Sequence, residues 1–191
     1  MGARIVCKFG GSSLANAGQI EKVRSIVAAD DNRRFVVVSA PGKDMNDEDK
    51  VTDHLFNIAT DGHHFRSRGK DITARKSFER VLGKFRSLVT DLSIEGGDIL
   101  EDLESDLTSH ISNQKRLDFF ASRGEHYNAK IIARYFRSKG MDTKLVLPEE
   151  IGFLVSDRFG NAKVLPGAHA NLREALKDGP VYIYPVTTAS R

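Results

Sequence analysis

A single cysteine, Cys7, stands in 191 residues, so no disulfide can form within the chain. Cys7 sits inside the first predicted strand. It reads either as a small buried apolar residue or as a thiol activated by the neighbouring Lys8. No apolar run approaches the roughly 18 residues that a membrane-spanning helix needs. The N-terminus has Arg4 and then a short strand, without the apolar stretch of a secretory signal. A cytosolic protein is therefore expected. The surplus of positive charge is only +3, and aromatic residues are not interleaved with lysine and arginine. Nucleic-acid binding has little to rest on.

The familiar phosphate-binding patterns are also missing. No GxxxxGK[ST] occurs: Gly42-Lys43, Gly69-Lys70 and Gly83-Lys84 each lack the earlier glycine and the following hydroxyl residue. No GxGxxG occurs either. His63-His64 is adjacent in a polar loop with only Asp61 close by, which suits a solvated pair better than a pair of metal ligands. There is no internal repeat and no low-complexity segment. What remains is an ordinary globular composition, 40% apolar and 29% charged, in a length that fits one domain.

The pattern along the chain is that of an α/β protein. "RIVCKF" reads as a short buried strand, Arg4 to Phe9. Ile20, Val23, Ile26 and Val27 recur at helical spacing, predicting a helix from about 14 to 29. "RFVVVSA" is apolar on consecutive positions, as in a parallel strand covered on both faces. Strand, helix and strand together form a βαβ unit. A polar loop leads to a helix over about 51–60. Two helices follow between 73 and 110, broken near Gly96-Gly97. Phe78, Val81, Leu82 and Phe85 line the first; Ile99, Leu100, Leu103 and Leu107 line the second. Bases dominate from Arg66 to Arg86, and only acids occur from Asp91 to Asp106. That division reads as a helical hairpin whose solvated faces attract each other, each pair adding little. The alternative is a ligand or partner surface on the basic helix.

Helical patterning resumes from Asn113 to Ser138, with an interruption expected at Arg123-Gly124 because glycine disfavours a helix by ~1 kcal/mol. "TKLVLPE" predicts a strand, and "GFLVSDRFGNAKVL" a hairpin turning at 158–161. A helix follows around Ala168 to Leu176, and "VYIYPV" is a last strand.

One stretch stands out chemically: "KFGGSS", where the first strand ends in Lys8 and two glycines before turning toward a helix. Unpaired backbone N–H groups at a helix start favour anions. Glycines let an anion approach the backbone, and a lysine adds a full charge, which makes a phosphate cradle. Ser39 and Ala40 end the second strand. Ligands in parallel sheets sit outside the carboxyl ends of the strands, so these residues can line one crevice. Glu125, just after the expected interruption, is a candidate for partial burial nearby.

At these residues the sequence resembles the aspartokinases, within the amino acid kinase family. The matching pieces are "KFGGSSL", "VVVSAPGK", "KVTDHL", "SRGEHYNAK" and "SDRFGNAKV", in the family's order from Lys8 to Val164. The loop between Lys43 and Thr52 looks like that of a subset of bacterial members. The resemblance implies a three-layer αβα sandwich around a mainly parallel sheet, the carbamate kinase-like fold, here incomplete. The 191 residues would be its N-terminal, substrate-binding part, with a helical-hairpin insertion at about 73–110. It implies ATP-dependent phosphorylation of the L-aspartate β-carboxylate to 4-phospho-L-aspartate, toward lysine, threonine and methionine, with ATP and Mg²⁺ as cofactors. The carried-over phosphate contacts are Lys8, Phe9, Gly10, Gly11 and Ser12, with Lys8 as the catalytic group. The substrate contacts are Ser39, Ala40, Thr52, Arg123, Gly124 and Glu125.

The chemistry suits those roles. A carboxylate with a pKa of ~3.9 is already ionised at neutral pH, so attack needs no general base. The difficulty is bringing one anion onto another, which Lys8 and the Gly10–Gly11 amides would ease. Glu125 would hold the substrate ammonium. That requirement argues against a nucleoside monophosphate as acceptor, though glutamate remains an alternative. The family's kinase domain is longer, its nucleotide half and ACT regulatory domains follow, and "PVTTASR" stands where a Gly-Phe loop is usual. The 191 residues alone are therefore expected to lack the adenine site and to be inactive or nearly so. A non-catalytic kinase lobe is the other class of reading, in which an exposed sheet edge promotes self-association into a homo-oligomer.

Overall fold

A computed structural model describes residues 4–44, 49–63, 66–67, 70–156, 162–176 and 179–186. The chain runs β1 (Ile5–Phe9), α1 (Ala17–Ala28), β2 (Arg33–Val38) and α2 (Val51–Ala59). A two-residue antiparallel ladder follows, β3 (Arg66–Ser67) with β4 (Lys70–Asp71). Three helices come next: α3 (Ala74–Asp91), α4 (Gly97–Thr108) and α5 (Asn113–Ser138). The chain then forms β5 (Thr143–Leu145), α6 (Pro166–Ala175) and β6 (Val181–Pro185).

Four strands make one sheet in the order β1-β2-β6-β5, every pairing parallel. The predicted βαβ unit is present, with β1 directly beside β2. Parallel neighbours need crossovers, and crossovers are right-handed as a rule. The connections β1 to β2 and β2 to β5 run the same way across the sheet, so α1 and α5 share a face. The return from β5 to β6 runs the other way and carries α6 to the opposite face. The core agrees: Val36, Val38, Val181 and Ile183 of the sheet cluster with Ile20, Val23 and Val27 of α1 and with Ile131, Ile132 and Phe136 of α5. Ala168 of α6 is buried outside that cluster.

Three local expectations need correcting. First, β1 is not a buried strand. It lies at the sheet edge, paired among the described strands to β2 alone, with Val6 65% and Ile5 38% exposed and Cys7 half-buried. Its apolar residues outnumber the partners available on that side. Second, the helix expected from about 14 begins at Ala17. A 3₁₀ turn over Gly11–Leu14 comes first, and the Asn16 side chain accepts the Gln19 N–H at 3.0 Å to cap α1. Third, α5 runs unbroken through Gly124. The ladder β3–β4 lies in a stretch for which no strands were foreseen.

The charge division also resolves differently. Acids of α4 pair mainly with α5. Asp98, Asp102 and Asp106 recur every fourth residue and so share a face of α4. Arg134 forks onto Asp98, with Nη2 to Oδ2 at 2.7 Å. Lys130 meets Asp102 at 3.1 Å, and Arg123 meets Asp106 at 2.8 Å. The Tyr127 hydroxyl also donates to Asp106, at 2.7 Å. Between α3 and α4 the described pair is Arg86 with Glu104 at 4.0 Å, both well exposed. Bases of α3 turn elsewhere: Lys84 to Asp44 at 2.8 Å and Arg80 to Asp49 at 3.5 Å. Buried amide and hydroxyl groups join α2 to α3, with Asn57 donating to the Ile72 carbonyl at 2.7 Å and to the Ser77 hydroxyl at 2.9 Å.

Of the predicted hairpin, the structure contains the antiparallel bridge Val155–Val164. Its turn at 158–161, His64 and the tail 187–191 lie outside the described residues. Among those residues no helix is long and apolar enough to cross a membrane.

Candidate active site

Three strand ends lie level at one edge of the sheet. Phe9 pairs with Val38, and Val38 with Pro185. Phe9 packs against the core, so by strand alternation Lys8 points to the opposite face, where it is exposed. Lys8 aligns with Val37 and, beyond it, with Tyr184, a row of three on one face. The Tyr184 hydroxyl is buried without a hydrogen-bond partner among the described residues, and burial holds its pKa above the ordinary phenol value.

Past β1 the backbone turns sharply. Gly10 is extended and Gly11–Leu14 form the 3₁₀ turn, closed by Ser13 N–H to the Gly10 carbonyl at 3.0 Å. The amides that open such a turn have no partner inside it. The unpartnered amides after β1 therefore belong to this turn and not, as the sequence suggested, to the start of the long helix. The loop after β2 folds directly onto it. The Gly42 N–H donates to the Gly11 carbonyl at 2.9 Å, and a Cβ on Gly42 would stand 2.7 Å from the Gly11 oxygen, inside any real contact. A Cβ on Gly11 would in turn stand 3.0 Å from the Ala40 carbonyl oxygen. Two glycines let two backbones touch.

From the core side, α5 closes the same corner. A Cβ on Gly124 would stand 2.8 Å from the Ala40 Cβ and 3.2 Å from Leu55. This explains the glycine inside a continuous helix: the helix gives up ~1 kcal/mol of propensity and gains a close approach to β2 and α2. One turn later, the Asn128 amide donates to the Ser39 carbonyl at 2.7 Å. Gly10–Ser12, Ser39–Gly42, the start of α2 and Gly124 are thus neighbours in space. Thr52 and Glu125, next in sequence to Val51 and Gly124, are half-buried.

Arg123 parts company with its sequence neighbours. It is buried, paired with Asp106 and seated 4.4 Å over the Phe119 ring. Its place on α5 faces α4, with Tyr127, so the guanidinium that the motif offered as a substrate contact is engaged in the α4–α5 interface. His126 lies on the same segment. Burial, helped by Arg123 and Lys130, lowers its pKa to about 4, although Glu149 stands 3.5 Å from Nδ1. A half-exposed carboxylate does not offset that desolvation. Among the described residues no group of three or more His, Cys, Asp or Glu could hold a metal ion.

On the far side of the glycine turn a cleft of about 620 Å³ opens between the start of α1 and α3, with Asn16, Gly18, Asp44, Arg80 and Lys84 on its walls. None of the phosphate or substrate contacts carried over from the family resemblance lines it, while Arg80 and Lys84 belong to the basic helix.

Residues 3–189 match the model of the amino acid kinase family. The chain belongs to the amino acid kinase family. It is 37% identical over 185 residues to Aspartokinase 3 of Bacillus subtilis, an alignment covering 94% of this chain and 39% of that protein. The fold is similar to that of the aspartate kinase of Clostridium acetobutylicum, with TM-score 0.70, 25% identity and 94% of this chain covered, against 37% of the other. It is also similar to E. coli aspartokinase III in complex with aspartate and ADP, with TM-score 0.71 and 22% identity, covering 95% of this chain and 40% of that one. The chain therefore spans about two-fifths of the length of the relatives it matches. Sequence reasoning singled out neither Asn128 nor Tyr184. Asn128 stood within a quoted motif but reads as an ordinary polar helix residue. Tyr184 shows its place only once the strand register is known.

Proposed function

We propose that this protein is the amino-acid-binding part of an aspartate kinase, which transfers the γ-phosphoryl group of ATP to the β-carboxylate of L-aspartate. The observation that carries the reading is the corner at the strand ends, where the glycine turn, the Ser39–Gly42 loop and Gly124 of α5 are in direct contact. The likeness to the Bacillus aspartokinase over 94% of the chain and the aspartate and ADP bound by the E. coli relative support it.

The division of labour follows from charge. Lys8 and the amides of the 3₁₀ turn would take the transferring phosphoryl group, spreading its negative charge over N–H donors and one ammonium. Ser39 and Thr52 would hydrogen-bond the substrate without adding charge. The Glu125 carboxylate would pair with the substrate ammonium, which also orients the β-carboxylate away from it. Mg²⁺ would enter with the nucleotide and neutralise its phosphates.

Calorimetric titration tests this directly. L-Aspartate binds in the proposed reading, and Glu125→Gln weakens it at least tenfold by removing the ammonium's counter-charge. Succinate, which lacks the ammonium, is indifferent to that substitution. Equal binding of L-glutamate and L-aspartate would shift the acceptor assignment, and no binding of either would remove it.

A further inference from the structure

The corner holds one side chain whose bonding the fold alone does not explain. Asn128 is fully buried on α5. Its Nδ2 donates to the Ser39 carbonyl at 2.7 Å, 89 positions away in sequence. The amide cannot be turned round, because Oδ1 against a carbonyl oxygen would set two acceptors together. Oδ1 is thereby left buried with no hydrogen-bond partner among the described residues. An unpaired buried acceptor destabilises a fold, and an apolar residue at this position would carry no such atom.

What the amide accomplishes is visible at Ser39. The Ser39 N–H donates to the Phe9 carbonyl at 3.2 Å, and its carbonyl accepts from Asn128. Both backbone polar groups of this one residue are pinned, one by β1 and one by α5, while its side chain stays half-buried at the strand end. Asn128 reaches it only because Gly124, a turn earlier, lets α5 rest on Ala40.

We propose that Asn128 is a positioning residue for the amino-acid site: it fixes the Ser39 backbone so that the Ser39 hydroxyl meets the ligand, and it lowers the stability of the fold in doing so. This rests on the acceptor site proposed above. The residue acts through Ser39 and does not touch the ligand itself.

The test pairs thermal melting with calorimetric titration of L-aspartate into the wild type, Asn128→Leu, Ser39→Ala and the double variant. Asn128→Leu is expected to melt at or above the wild-type temperature and to bind L-aspartate at least tenfold more weakly. The double variant is expected to bind no more weakly than the weaker single one, since both changes act on one contact. Asn128→Ala, which adds no volume, decides in the same way if leucine is too large for the site. An affinity within twofold of wild type, losses that multiply in the double variant, or a leucine and an alanine variant that both melt lower or both do not fold would each overturn the proposal. The last outcome would make Asn128 a support of the fold alone. A wild type that binds no L-aspartate would fail one step earlier, at the acceptor reading, and take this inference with it. A wild type that binds beside an unaffected Asn128→Leu would sink the inference only.

Discussion

Two regions of the molecule join α5 to the rest, by opposite means. Along its outer side α5 is held to α4 by a ladder of charges: Asp98 to Arg134, Asp102 to Lys130, Asp106 to Arg123 and Tyr127. On its inner side it meets the strand ends through glycine, where Gly124 rests on Ala40, in the same loop whose Gly42 rests on Gly11. Long charged side chains can shift and re-pair, and their attraction falls off gently with distance. Backbones in contact have no such latitude, because repulsion rises steeply. The ladder is therefore a tolerant joint and the corner an intolerant one. The tolerance is graded, since Asp98 and Asp102 are well exposed whereas Arg123 is buried.

The sharpest break of this contrast is Gly42→Ala. The added methyl would run into the Gly11 backbone, and overpacking without room to relax should remove about 3 kcal/mol, measurable by urea denaturation. At the inner rung of the ladder, Asp106→Ala leaves Arg123 buried and uncompensated. It should lose roughly 2 to 3 kcal/mol, at the low end for a buried pair because Asp106 is partly exposed. Next comes acid. His126 is neutral in the fold, with its pKa lowered from 6.5 to about 4. The unfolded chain takes up a proton that the folded chain refuses, so stability falls as pH drops from about 6.5 toward 4. The loss should be about 2 kcal/mol after allowing for incomplete burial. His126→Gln should flatten that limb. Asp98, held near 2 by Arg134, contributes stability that is full above the ordinary carboxylate range and is lost only as pH falls through that range toward 2.

Smaller still is Gly124→Ala. Its helix-propensity gain opposes the clash with the Ala40 Cβ, leaving a net loss of about 1 kcal/mol. Ala40→Gly should restore that loss in the double variant, which a mere propensity effect would not allow. Smallest is Asp102→Ala, a solvated pair, at about 0.5 kcal/mol. A large effect there would erase the distinction between the two joints.

Much of this was legible before any coordinates. The βαβ unit, the parallel strands and the meeting of "KFGGSS" with "SAPGK" follow from apolar runs, turn residues and the rule about strand ends. What escaped was the identity of neighbours. Acids on α4 and bases on α3 are adjacent in sequence and opposite in sign, yet the acids face α5, because sign is written in the residues and facing is set by helix packing. Gly124 read as a break, since propensity is local and the reason for this glycine lies 84 positions away at Ala40. Arg123 and Glu125 flank it in one motif, but a helix turns about 100° per residue and sends Arg123 to α4. Strand β1 looked buried because its apolar residues say nothing of how many strands stand beside it.

The strand order has a further meaning for how the molecule is made. β6 is the last of the four strands along the chain, yet it lies between β2 and β5. A nascent chain leaving the ribosome can assemble β1, α1 and β2 early, but β5 then has no neighbour to pair with. Until Val181–Pro185 emerge and slide into the gap, the sheet stays split in two and the apolar flank of α5 lacks its floor. A pause in translation just before Val181 would lengthen that interval.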